Sequence, residues 1–173
     1  MEMQVNVAQL LKESTGAIRV LGFDSSDLVL EDGSRADVEG ELRVTKTDRG
    51  IWVEGPLSIG VESTCSRCAK PIDYRVDVQV SDEFLPEVDV VTGFRFRHDD
   101  VGDADTSSIN NQHVLDLSEA IGQYREAALP LAPLCKEDCE GICPECGSDR
   151  NGIACGCEPS PDPRWDQLKE LLK

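Results

Sequence analysis

The stretch Ile72-Asp73-Tyr74-Arg75-Val76-Asp77-Val78-Gln79-Val80-Ser81 decides the fold. Ile72, Tyr74, Val76, Val78 and Val80 fall on one side of an extended chain, and the polar residues between them fall on the other. Successive side chains of a strand point to opposite faces, so this alternation describes a sheet with one buried face and one wet face. The same period recurs upstream. Val38, Gly40, Leu42 and Val44 alternate with charged residues over 37–47, and Ile51, Val53, Leu57, Ile59 and Val61 alternate over 50–61. Asp48-Arg49-Gly50 between these arms is a hairpin signal. Gly55-Pro56 predicts a bulge or edge irregularity in the second arm. A further strand is expected over 17–23, ended by an acidic turn at Asp24-Ser25-Ser26-Asp27. Leu28-Val29-Leu30 reads as a strand fragment and Asp32-Gly33 as a turn. Residues 88–91 and 94–96 suggest a weaker strand, and the polar, acidic stretch 97–111 reads as a flexible loop.

Helical periodicity is confined to short segments. Residues 3–12 read as a short strand running into a short helix whose Val7, Leu10 and Leu11 share a face. A second helix begins near Asp116, where Asp116 and Glu119 resemble a capping box, and runs to about Ala128. Leu117, Ala120, Ile121, Tyr124 and Ala128 form its inner face, and Pro130 and Pro133 stop it. Pro159, Pro161 and Pro163 predict a stiff linker, with Asp162-Pro163 opening a last helix from Arg164 toward Lys173. Trp165, Leu168, Leu171 and Leu172 lie on one side of that helix. The fold class that follows is α+β: a mostly antiparallel twisted sheet or partial barrel with one or two helices. The expected domains are a sheet-rich 1–133, a small zinc-ribbon-like cysteine module over 134–158, and a linker plus amphipathic helix over 159–173.

Composition narrows the function. Seventeen Lys and Arg face 34 Asp and Glu, a net charge of −17, which argues against binding nucleic acid through a broad basic face or docking on an anionic membrane. A basic protein partner fits such a charge better. No stretch approaches the ~18–20 apolar residues of a membrane span. Met1–Asn6 has neither the basic nor the apolar region of a secretion signal, so the expected compartment is the cytosol.

Eight cysteines carry the chemistry. None precedes Cys65; Cys65 and Cys68 form one C-x2-C, and Cys135, Cys139, Cys143, Cys146, Cys155 and Cys157 cluster near the C-terminal end. In a cytosolic chain thiols are kept reduced, so paired cysteines read first as zinc ligands. Zinc takes four soft ligands in a tetrahedron, and C-x2-C is a tight turn that brings two sulfurs to one ion. Gly147, after the second cysteine of Cys143-Pro144-Glu145-Cys146, frees the backbone to turn. Eight cysteines make two four-sulfur sites, about two structural zinc ions. Either Cys143, Cys146, Cys155 and Cys157 close one site locally and leave Cys65, Cys68, Cys135 and Cys139 for the other, or Cys135, Cys139, Cys143 and Cys146 share an ion. An iron–sulfur cluster, a dithiol redox pair and disulfides are the competing readings. Other chemistry is thin. His98 and His113 read as surface residues, and no phosphate loop, H-E-x-x-H or G-x-S-x-G occurs. Arg67, Lys70 and Arg75 form a small basic spot, read as a solvated strand face with an RNA phosphate contact as the alternative.

The segments Thr64-Cys65-Ser66-Arg67-Cys68-Ala69-Lys70-Pro71, Val114-Leu115-Asp116-Leu117, Ala128-Leu129-Pro130-Leu131-Ala132-Pro133-Leu134-Cys135, Asp138-Cys139-Glu140-Gly141-Ile142-Cys143-Pro144-Glu145-Cys146-Gly147 and Asp162-Pro163-Arg164-Trp165 resemble the YceD-like family, named for large ribosomal RNA subunit accumulation. The resemblance covers nearly the whole chain, most strongly 64–172. It implies a bacterial or plastid protein, sheet-rich with terminal helices, that acts in large-subunit ribosomal RNA processing or accumulation. Cys65 and Cys68 match the family's more widespread motif, and the six-cysteine tail belongs to part of the family. The expectation is a non-enzymatic zinc-binding factor in ribosome biogenesis that contacts a ribosomal protein, 23S-type ribosomal RNA, or both. The alternatives are a zinc-ribbon interaction module unrelated to ribosomes and a C-x-x-C thiol oxidoreductase.

Overall fold

The computed structural model of the 173-residue chain describes residues 3–29, 35–96, 108–152, 155–157 and 164, with the side chains of 25–29 and 35 left aside. The chain forms two compact units, residues 1–62 with 73–130, and residues 63–72 with 131–173.

The first unit is built on a sheet. Its elements in chain order are β1 (Gln4–Asn6), α1 (Ala8–Lys12), β2 (Ile18–Val29), β3 (Arg35–Lys46), β4 (Ile51–Thr64), β5 (Pro71–Pro86), β6 (Ser108–Ile109), β7 (Val114–Asp116) and α2 (Ser118–Ala128). The seven strands lie in the order β1-β7-β6-β5-β4-β3-β2. β1–β7, β6–β7, β2–β3 and β3–β4 pair antiparallel, and β5 and β6 pair in parallel through Leu85↔Ser108 and Pro86↔Ile109. The sheet curls into a half-barrel. The period-2 pattern sets which face is inside. Val38, Leu42, Val44, Ile51, Val53, Leu57, Ile59, Val61, Val76, Val78 and Val80 are all buried in one cluster. Helix α1 adds Leu10 and Leu11 to it, and α2 adds Ala120 and Ile121. Tyr124 ties α2 to β5, its hydroxyl accepting from the Ser81 N–H (3.0 Å) and donating to the Ser81 carbonyl (3.2 Å).

Several local expectations are corrected. The acidic segment at 24–27 is not a turn: β2 runs through it, and the register steps from Phe23↔Gly40 to Ser26↔Val38. Asp24 and Ser25 thus stand opposite Glu39 alone, a bulge that absorbs the polar insertion without ending the strand. Around Gly55-Pro56 the ladder opens but does not shift, since Gly40↔Leu57 and Arg43↔Glu54 share one register. The strands crowd there instead. A Cβ on Gly40 would sit 2.4 Å from the Pro56 carbonyl oxygen, and one on Gly55 2.3 Å from that of Glu41. Their φ values of +141° and +153° are closed to other residues as well. Residues 88–91 and 94–96 make one bridge, Val88↔Arg95, rather than a strand. The turn inside it is held by Asp89 Oδ1, which accepts from the Val91 and Thr92 N–H groups. The end of the expected loop is strand β6, because Ile109 is fully buried and supplies a partner for Leu115. No capping box forms at α2. Leu117 is the N-cap without a side-chain bond, and Asp116 Oδ1 accepts from the Ser118 N–H at 2.9 Å while its Oδ2 accepts from Gln4. Leu30, the Asp32-Gly33 turn, residues 97–107 with His98, the proline linker at 159–163 and Trp165–Lys173 lie outside the described residues. Among the described residues no helix is long and apolar enough to cross a membrane.

Candidate metal centre

All eight cysteines belong to the second unit, and all are free thiols. They gather as two groups, Cys65 with Cys68, Cys135 and Cys139, and Cys143 with Cys146, Cys155 and Cys157. Within each group the sulfurs lie within 4.8 Å of one another. This is the first of the two partitions that the spacing allows.

Both C-x2-C segments fold as the same turn. The Cys65 N–H donates to the Lys70 carbonyl (2.8 Å) and the Ala69 N–H to the Cys65 carbonyl (2.9 Å). In the second, the Cys143 N–H donates to the Ser148 carbonyl (2.8 Å) and the Gly147 N–H to the Cys143 carbonyl (2.8 Å). The residue after the second cysteine has positive φ in both, +72° at Gly147 and +57° at Ala69. The turn geometry thus forces a left-handed residue whether or not glycine is there.

The first group is the more buried. Cys65, Cys68 and Cys139 are 3%, 7% and 2% exposed and pack with Ile72 and Leu134, whereas Cys135 lies at the rim. In the second group only Cys143 is buried; Cys155 is half-buried, and Cys146 and Cys157 are exposed. Cys65 and Cys139 sulfurs are 3.7 Å apart, and Cys68 and Cys135 sulfurs 3.6 Å. Four sulfurs at the ~2.3 Å zinc–sulfur distance in a tetrahedron stand roughly 3.8 Å apart. The donor set and its spacing therefore fit a tetrahedral metal ion.

The electrostatics point the same way. Burial pushes the Cys65 thiol up, but backbone hydrogen bonds from Cys68, Arg67 and Cys135 outweigh it and hold the group at about 6. Desolvation and the crowding sulfurs of Cys139, Cys68 and Cys65 push Cys135 up to about 12. The second group repeats the split. Hydrogen bonds from Ser148 hold Cys146 at about 6, while the Cys146 sulfur beside it, followed by desolvation, pushes Cys157 up to about 12. Four sulfurs this close cannot all ionise unless a cation shares the site.

The cations read as a basic spot are engaged within the protein. Arg67 Nη1 donates to the Cys139 carbonyl at 2.9 Å, and Lys70 pairs with Asp149 at 2.5 Å. Arg75, in the other unit, pairs with Asp37 at 2.8 Å and Glu39 at 3.5 Å. The three cations of the supposed basic spot are thus each engaged within the protein. Asn151 was missed altogether: its Nδ2 donates to the Cys139 sulfur at 3.4 Å. The turn signal Asn151-Gly152 inside the loop between Cys146 and Cys155 was the available hint. His113 is half-buried with φ +60°, and its carbonyl accepts from the Val7 N–H.

Comparison with known proteins gives a family match. A family described as large ribosomal RNA subunit accumulation protein YceD matches residues 53–172. An uncharacterized protein of Mycobacterium tuberculosis (strain ATCC 25618 / H37Rv), Rv2926c, is 30% identical over 150 residues, covering 84% of this chain and 66% of its own length. An uncharacterized protein of Mycobacterium leprae (strain TN), ML1660, is 28% identical over 137 residues, 79% of this chain and 60% of its own. The chain therefore spans at most about two thirds of the curated relatives it matches. No solved structure matches.

Proposed function

From the membership of this chain in the YceD family of large ribosomal RNA subunit accumulation proteins, we propose that it is a non-enzymatic cytoplasmic factor of large-subunit assembly that holds two structural zinc ions. The family membership carries the ribosomal half of this reading. The grouping of eight sulfurs into two sets of four, each within 4.8 Å, carries the metal half. We read the ion as zinc because four-thiolate sets are a common structural zinc site, a geometry that iron can share, and a closed set has no open position for a substrate or water. That is also the reason for reading the protein as a scaffold rather than an enzyme.

The partner is a basic ribosomal protein of the large subunit, with 23S-type ribosomal RNA contacted only secondarily. The net charge of −17 supports this order, and two Zn2+ ions each held by four thiolates add a further net −2 apiece. The outward face of β3, β4 and β5 is acidic as well. Glu39, Glu41, Glu62, Asp73 and Asp77 are exposed there, while Arg43 and Arg75, the cations whose side chains are described on that face, are held in ion pairs by Glu54, and by Asp37 and Glu39. Such a field attracts a polycation and repels phosphate.

Elemental analysis of protein purified without added metal should find two zinc ions per chain; iron, or no metal with every thiol free, overturns the metal half. Pull-down from nuclease-treated lysate should retain a basic large-subunit protein. Loss of every ribosomal partner after nuclease, with purified ribosomal RNA bound at physiological salt, overturns the partner.

A further inference from the structure

We propose that the two metal sites load cooperatively, through Asn151 and Asp149 in the loop that the second site closes. The inference rests on the metal reading above and concerns how the sites regulate each other. The loop between Cys146 and Cys155 spans residues 147–154, and its two ends are ligands of the second site. Its middle reaches the first site. Asn151 Nδ2 donates to the sulfur of Cys139 (3.4 Å) and to Asp149 Oδ1 (2.7 Å), and Asn151 Oδ1 accepts from the Glu140 N–H (2.9 Å). The amide is thereby fixed on both sides, with one N–H aimed at a first-site sulfur. Asp149 then uses its other oxygen to pair with Lys70, which stands two residues beyond Cys68 (2.5 Å). The backbone joins in as well. Arg150 N–H donates to the Gly141 carbonyl, and Ile142 N–H to that of Arg67.

A tetrathiolate site carries excess negative charge, and N–H donors to its sulfurs favour the deprotonated, metal-bound form. Partners that hydrogen-bond to ligands change metal affinity by ~10–100-fold. An eight-residue loop with free ends samples many conformations, and few of them hold Asn151 against Cys139. Metal at Cys146 and Cys155 removes most of that freedom, so the first site gains its donor at no further ordering cost. Coupling of affinities is reciprocal, so metal in the first site strengthens the second by the same factor. Asn151 is a positioning residue here, not a ligand.

Titration of the metal-free full chain with cobalt(II), against a competing chelator, reads each site through its sulfur-to-cobalt absorption. The first site is isolated in Cys155→Ser/Cys157→Ser and the second in Cys65→Ser/Cys68→Ser. Each isolated site should bind cobalt about 10–100-fold more weakly than in the intact chain. Asn151→Ala should weaken the first site by a similar factor while the second still fills. It should also shift the first-site absorption, and the isolated first site of Cys155→Ser/Cys157→Ser should show the same shift, since both lose the amide donor to Cys139. Added to Cys155→Ser/Cys157→Ser, Asn151→Ala should cost little more, because the donor is already lost. Sites that fill independently, with additive variants and an unmoved absorption, overturn the coupling while leaving the metal reading intact. No tetrahedral thiolate–cobalt spectrum in any variant overturns the metal reading itself.

Discussion

The two units of this chain solve one problem with different materials. In the sheet unit, the buried cluster is aliphatic and aromatic, drawn from strands, α1 and α2, and among the described residues no polar side chain is buried. In the cysteine unit, every fully buried member of the described cluster is a cysteine, with Ile72 and Leu134 as half-buried apolar support. Apolar burial stabilises by ~25 cal/mol per Å2 and needs no ligand. Sulfur clusters do not stabilise on their own, since the groups that meet there repel once ionised. The difference teaches that the first unit has an apolar core of its own, whereas the second, on the metal reading proposed above, depends on an ion to complete it.

The sharpest way to break that contrast is to remove the metal. A structural zinc in a small module is worth ~10–16 kcal/mol of apparent binding free energy. Chelation of the full chain should abolish hydrogen-exchange protection over 63–72 and 131–152, where turn bonds such as Cys65 N–H to Lys70 hold the fold. Val38, Leu42 and Ile59 amides in the sheet unit should keep theirs. Equal loss in both units would show that the sheet depends on the sulfur sites too.

Single ligands sharpen it further. Cys143→Ser should lower bound metal from two ions to one and expose residues 143–157 to exchange, and Cys68→Ser should do the same at 65–70 and 135–139. Metal analysis with residue-level exchange separates the two. Loss of both metals from either change, even at metal concentrations that saturate each isolated site, would mean a single shared cluster rather than two sites.

The converse test strikes the apolar unit. Ile59 is fully buried on the inner face, so Ile59→Ala should destabilise the sheet by ~2–5 kcal/mol through lost transfer energy and the cavity left behind. The metal content should stay unchanged. A fall in metal stoichiometry in this variant would erase the division between the units.

The degree to which each unit could be read from sequence follows the same line. Alternation made β3, β4 and β5 legible because each has one wet face, and most of the inner residues from Val38 to Val80 are buried, although Ile72 and Tyr74 are only half-buried and Ile72 packs against the cysteines. The short strands β6 and β7 were harder, since two or three residues show no period; only the burial of Ile109 and Leu115 reveals them. Asp24-Ser25 looked like a turn because a bulge and a turn use the same polar residues, and the register that separates them is not a local property. The cysteines announced ligands by type and spacing. Their partition was open because Cys65 and Cys135 meet through the fold, at a separation in sequence that spacing alone cannot rank. Asn151 was harder to read for the opposite reason: Asn151-Gly152 signals a turn, but the residue's role comes from which sulfur it faces, and no local pattern gives that.

The smallest effect probes the likeness within the cysteine unit. The two C-x2-C turns share their hydrogen bonds, yet one places glycine and the other alanine at the position of positive φ. A left-handed conformation costs an L-residue roughly 1–2 kcal/mol, and glycine escapes that cost. Glycine also gives up more freedom on folding, an entropic term of roughly 0.4–1 kcal/mol that offsets part of the gain. A Cβ on Gly147 would meet nothing within 4 Å, so Gly147→Ala is a test of backbone strain alone. It should destabilise by ~1 kcal/mol or less after the entropic offset. Ala69→Gly should shift stability in the opposite direction by a similar amount, since it removes the strain that Ala69 already bears at φ +57°. Chelator-titration midpoints of the two variants, measured side by side, should therefore move apart from the parent in opposite directions. Shifts of the same sign would show that the two turns, alike in their hydrogen bonds, are not energetically equivalent.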